Sequence, residues 1–197
     1  FNNGYDLRLY QGTTIKFNTK GKIVFSGGSF YSGILPQNSS PLPTEFYGNS
    51  CVWEGISFTG GTDIHISNSV FKNIAYEPQG GLNAQYQNCA LSIINCNDIT
   101  INSSQFYMDT KSGAIYYQYS SCENPRWENA YIGGNSFIIN ETNTNSPLVT
   151  SFSSLSATET PIRLEGNYFN NISGTSAIAT AVNGVCGGTI KNNNFHK

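Results

Sequence analysis

At 197 residues and a net charge of −2, the chain is long enough for one domain that buries roughly 70% of its unfolded surface, and nothing in its length calls for a second. Charged residues are only 11% and aromatics 13%, while Asn, Ser, Thr and Gly abound, so disorder is excluded and the polar surface is built from neutral hydrogen-bonding groups. The ten Lys and Arg are scattered and no apolar run approaches ~20 residues, which excludes nucleic acid as a partner and a helical membrane span.

The chain opens on Phe1-Asn2-Asn3, with neither Met nor a signal peptide, and so reads as a mature product or a fragment. From there one pattern recurs: apolar, any, apolar, two turn-like residues, a small or polar residue, any, then Phe. It appears as IVFSGGSF (23–30), IHISNSVF (64–71), ITINSSQF (99–106), a weaker YIGGNSF ending at Phe137, IRLEGNYF (162–169) and a degenerate TIKNNNF ending at Phe195. Alternation across Ile64 and Ile66 is the period of a strand with one buried face, and the SN, NS, GG, EG and NN pairs that follow are bend chemistry.

If each repeat is one coil, Phe30, Phe71, Phe106, Phe137, Phe169 and Phe195 stack as an internal column. Gly28, Ser69, Ser104, Asn135, Asn167 and Asn193 form a second, partly polar column at the corner. The unequal spacing of the Phe residues requires excursions. The largest expected is a loop insertion over 31–50, where Pro36, Pro41 and Pro43 argue against a central strand. A second strand-like block precedes most repeats and supplies the other walls: WEGISF (53–58), CALSII (89–94), SGAIYY (112–117), PLVTSF (147–152) and SAIATAV (176–182). The final FHK follows a strand-like motif without a polar cap, the expectation for a fragment or for a solenoid that continues by its own chain or by self-association.

GTTIKF, KGKIVF, WEGISF and the I-x-I-x-x-N-x-F phases together resemble secreted right-handed parallel β-helix proteins of the pectate-lyase-like superfold, over nearly the whole chain. The resemblance implies an all-β, single-domain solenoid (1–197) of about six coils with irregular loop insertions. It does not choose a function, since the superfold hosts lyases, glycosidases, tailspikes, adhesins and non-catalytic surface proteins.

Aligned on the Phe, Asp63 and Asp98 fall in one column on neighbouring coils, about 4.8 Å apart, where two carboxylates repel unless a cation such as calcium lies between them. The outward column six residues before the Phe holds Val24, His65, Thr100, Tyr131, Arg163 and Thr189. Calcium-dependent polysaccharide lyases of this superfold pair carboxylate-bound calcium with an Arg or Lys base, and Asp63, Asp98 and Arg163 loosely echo that set. The dense Asp clusters of those lyases are missing, as are the glycosidase signatures of the superfold, so no catalytic residue is assigned. Tyr116, Tyr117, Tyr119, Trp127 and Tyr131 concentrate rings that can stack on sugars. Asn38, Asn102, Asn140 and Asn171 open Asn-x-Ser/Thr sequons. Five cysteines suit an oxidising compartment, and Cys51, Cys89 and Cys122 fall close enough in phase for neighbouring members to pair. The expected role is a non-catalytic extracellular structural or adhesive module that binds or carries glycans. The alternatives are a calcium-dependent polysaccharide lyase and a fragment of a phage tailspike.

Overall fold

The computed structural model describes residues 4–35, 42–49, 53–60, 62–73, 89–96, 98–108, 113–119, 130–139, 149–153, 162–171, 182–183 and 189–196, and every regular element among them is a strand. The strands come in rounds of three. The first round is β1 (Asp6–Tyr10), β2 (Thr14–Phe17) and β3 (Ile23–Ser26), and the second is β4 (Ser29–Ile34), β5 (Thr44–Gly48) and β6 (Ile56–Thr59). The third is β7 (Asp63–Ser67), β8 (Ser69–Lys72) and β9 (Cys89–Ile94), and the fourth β10 (Ile99–Asn102), β11 (Gln105–Met108) and β12 (Gly113–Tyr119). Then follow β13 (Ala130–Gly133), β14 (Ser136–Ile139) and β15 (Val149–Ser153), and β16 (Ile162–Glu165), β17 (Tyr168–Asn171) and β18 (Val182–Asn183). The last two strands are β19 (Thr189–Lys191) and β20 (Asn194–His196).

Each strand pairs in parallel with the strands three before and three after it, giving three sheets: β1-β4-β7-β10-β13-β16-β19, β2-β5-β8-β11-β14-β17-β20 and β3-β6-β9-β12-β15-β18. The strand-like blocks at 53–58, 89–94, 112–117 and 147–152 fall on β6, β9, β12 and β15 of the third sheet, as the wall assignment expects, while of the block at 176–182 only Val182, on β18, is among the described residues.

Alternation decides which side chains enter the core. In β7 and β10, Ile64, Ile66, Ile99 and Ile101 are buried while His65 and Thr100 between them stay half-exposed. The bend pairs do their work through backbone handedness: Asn68, Ser103, Gly134, Gly166 and Asn192, each just after a first-sheet strand, all have positive φ. Gly and Asn adopt that left-handed region most readily, which is why the bends read as they do in sequence.

The inner Phe column forms, with one change of membership. Phe71, Phe106, Phe137, Phe169 and Phe195 stack with centroids 4.8, 5.1, 4.8 and 4.8 Å apart. The member before Phe71 is Phe46, at 4.8 Å and 3° between planes, and not Phe30. Phe30 lies on β4 opposite Ile64 in the first sheet, and its ring meets Phe25 and Phe58. The cause is a phase shift: IVFS (23–26) pairs with ISFT of β6 and belongs to the third sheet, so 23–30 imitates the repeat without occupying its position. For the same reason residues 31–34 and 44–48 are strand, not excursion; Pro43 stands just ahead of β5, while Pro36 and Pro41 lie outside the described residues.

The polar corner column also holds from Ser69 onward and loses Gly28, whose place in register belongs to Thr44. The Ser69 N–H donates to Ser104 Oγ, Ser104 N–H to Asn135 Oδ1, Asn135 N–H to Asn167 Oδ1 and Asn167 N–H to Asn193 Oδ1, at 3.2, 2.9, 3.0 and 2.9 Å. The three amide groups donate back to Ile101 O, Ile132 O and Leu164 O. Each buried polar side chain thereby satisfies a backbone group that the bend takes out of the strand ladder.

Candidate functional site

The outward face of the first sheet carries one unbroken column: Arg8, Tyr31, His65, Thr100, Tyr131, Arg163 and Thr189, paired in register across all seven strands. Its head is Arg8 and Tyr31 where the sequence phase pointed to Val24. Val24 sits on β3 in the third sheet, and the signal that identifies Tyr31 is the alternation of SFYSGI after Gly28.

Neighbouring members touch. The Arg8 guanidinium lies 4.9 Å from the centroid of Tyr31, and the Tyr31 ring stacks on His65 at 5.0 Å and 8°. Arg163 lies 5.4 Å from the centroid of Tyr131. The charges are matched locally. Arg8 donates to Asp6 at 3.4 Å, His65 Nε2 stands 3.7 Å from Asp98, and Arg163 Nε donates to Glu165 at 2.7 Å. Lys191 reaches the other Glu165 oxygen at 3.3 Å. Desolvation pushes the Glu165 carboxyl up, but the hydrogen bonds and charges of Arg163 and Lys191 outweigh it and hold the group below its ordinary value.

A second outward column runs beside the first: Ser67, Asn102, Gly133, Glu165 and Lys191. Between the two, over β4, β7 and β10, lies a shallow depression of about 240 Å³ walled by Tyr31, His65 and Thr100 on one side and Ile34, Ser67 and Asn102 on the other. Next to Asn102, the Tyr131 phenol lies directly over Gly133: a Cβ at that glycine would stand 2.2 Å from the phenol oxygen and 2.3 Å from Cζ. Glycine is there to make room for a ring.

The remaining candidates are distributed as follows. Asp63 and Asp98 start neighbouring strands, the Ile64 N–H donating to Asp98 O at 2.7 Å, but the Asp98 carboxylate turns to His65 and is 64% exposed. Among the described residues no three His, Cys, Asp or Glu come together in a way that would hold a metal ion. Arg163, tied to Glu165 and Tyr131, is three rungs from His65, the partner of Asp98. Tyr116 and Tyr117 are buried in β12, and so present no ring to solvent; Tyr131 is the member of the aromatic set on the outward face. Trp127, Asn38, Asn140, Cys51 and Cys122 lie outside the described residues, as do the side chains of Tyr119 and Asn171. Asn102 lines the depression, and Ser104 of its sequon is buried and donates to Asn102 O at 2.8 Å. Cys89 is buried at the start of β9.

No family model, no curated protein and no solved structure matches the chain.

Proposed function

We propose that the chain is a right-handed parallel β-helix that serves outside the cell as a rigid, non-catalytic structural or adhesive module, with the outward face of the first sheet as its glycan-binding surface. Three parallel sheets visited in rotation support the winding, and crossovers between parallel strands of one sheet are right-handed in about 98% of cases. The neutral, Asn- and Ser-rich composition supports an extracellular setting, and stacking on like units or on further solenoid supplies its partners.

The observation that carries the binding role is the column Arg8–Tyr31–His65–Thr100–Tyr131–Arg163. A sugar polymer presents a similar group at each residue along its length, and a straight file of rings and cations, one per strand at about 4.8 Å, repeats on a comparable scale. Rings half-embedded in a sheet offer contact area with little side-chain entropy to lose. The two arginines already have Asp6 and Glu165 as partners, an arrangement suited to holding a neutral ligand more than to transferring protons.

The test is retention on insoluble polysaccharides of different backbone chemistry. The wild-type chain is expected to be held by at least one of them, and a Tyr31→Ala, His65→Ala, Tyr131→Ala combination is expected to pass through. Depolymerisation of a uronate polymer that stops on adding chelator would replace this reading with that of a calcium-dependent lyase.

A further inference from the structure

The outward column has one rung that is neither ring nor cation before Thr189. Thr100 stands between His65 and Tyr131, one strand from each, so the gap spans twice the strand spacing of about 4.8 Å. The inner column shows what one strand spacing accommodates: a six-membered ring on each strand, with centroids 4.8 Å apart between Phe71 and Phe106. At Thr100 the outer face is therefore short of one ring, and Thr100 and Asn102 form the end of the depression nearest β13, the strand of Tyr131.

Part of its polar lining is unspent. The Asn102 side-chain amide and the Thr100 hydroxyl make no hydrogen bond among the described residues, although both are half-buried. The Ser67 hydroxyl donates to Gly33 O at 3.2 Å and keeps its lone pairs. Together these offer two amide hydrogens and several acceptor oxygens at the floor, with the Tyr31–His65 stack at one side and the Tyr131 ring beside Asn102. Arg8 is held by Asp6, and Arg163 and Lys191 share Glu165, so an anionic ligand meets no unpartnered arginine here.

We infer that this depression is a subsite for a single neutral pyranose ring of the polymer that the column binds, seated over Thr100, hydrogen-bonded by Asn102 and Ser67 and packed against Tyr131. The assignment rests on the glycan-binding reading above and narrows it to one sugar, its charge class and its contacts. It also gives Gly133 a role: its missing side chain keeps the Tyr131 ring down on the sheet, next to the Asn102 rung.

Saturation-transfer NMR on the full chain, with methyl glycosides of glucose, galactose, mannose, xylose and glucuronic acid as probes, tests it. Transfer is expected to the ring protons of at least one neutral glycoside and not to the glucuronide. Tyr131→Ala, Asn102→Ala and Gly133→Ala are each expected to weaken the response about tenfold, the scale of one lost ring contact or hydrogen bond. Tyr107→Ala, on the outward face of the second sheet, should leave it intact. Thermal unfolding of each variant shows that the fold survives. If a polysaccharide retains the chain but these substitutions change neither retention nor saturation transfer, the subsite is wrong and the broader reading stands. If no polysaccharide retains the chain, that reading fails as well. A glucuronide preferred over the neutral probes overturns the charge class.

Discussion

The inner column of the second sheet and the outer column of the first are built on the same strand spacing, yet one is monotonous and the other varied. Ile15, Phe46, Phe71, Phe106, Phe137, Phe169 and Phe195 face the interior in register, and from Phe46 on every rung is Phe. Outside, Arg8, Tyr31, His65, Thr100, Tyr131, Arg163 and Thr189 share no chemistry beyond their common register. Phe71, Phe106, Phe137 and Phe169 are each fully buried with a ring above and below, so one side chain is the best answer at each of these levels. The exterior rungs meet water, and their identity is left open to be used for recognition.

The contrast can be broken most severely from inside. Phe106 is fully buried between Phe71 and Phe137, and Phe106→Ala is expected to cost about 3–5 kcal/mol in chemical denaturation, because neither neighbouring ring can move into the hole. Asn135→Ala should come next. It strips the Ser104 N–H of its acceptor and leaves Asn167 Oδ1 with one donor fewer, an expected loss of about 1–3 kcal/mol by the same measurement.

Interior chemistry is muted as well. Burial pushes the Cys96 thiol up to about 12, against the pull of hydrogen bonding with Thr62 and Ile94, so at pH 8 the group stays protonated. Alkylation of Cys96 by iodoacetamide, followed by peptide mass spectrometry, is expected to be negligible in the folded chain and rapid in denaturant.

The smallest effect belongs outside. The Glu165 carboxyl is held below its ordinary value of 4.5, so its stabilising contribution is fully present above that value and disappears as pH falls through the lower, folded-state value. Glu165→Gln is expected to lower the melting temperature slightly at neutral pH, with the difference from wild type vanishing in acid and shrinking in high salt.

Much of this architecture was legible because the corners are written in residues that few other structures need. The pairs Ser67-Asn68, Asn102-Ser103 and Gly133-Gly134 each put their second member at positive φ, and the Phe four or three residues on then falls into line. The opening rounds were less legible. IVFSGGSF satisfies every position of the repeat, and only pairing with Ile56 and Phe58 reveals that it belongs to another wall. Periodicity reports which face a residue occupies and says nothing about which sheet. The outward column suffered from the same shift, which hid Tyr31 and Arg8 behind Val24. The depression could not be read at all, since its walls come from β4, β7 and β10, three strands far apart in the chain whose first member was hidden by the phase shift.

The side-chain-to-backbone bonds of the corner amides point one way, while their amide hydrogens also reach forward, Asn135 to Asn167 and Asn167 to Asn193. Asn135 accepts from Ser104 and donates to Ile101 on the round before its own, and Asn167 does the same for Asn135 and Ile132. A newly formed level therefore completes its predecessor while leaving its own bend for the following one to seal. Each level is thus coupled to the one before it, a nearest-neighbour stabilisation of stacked repeats.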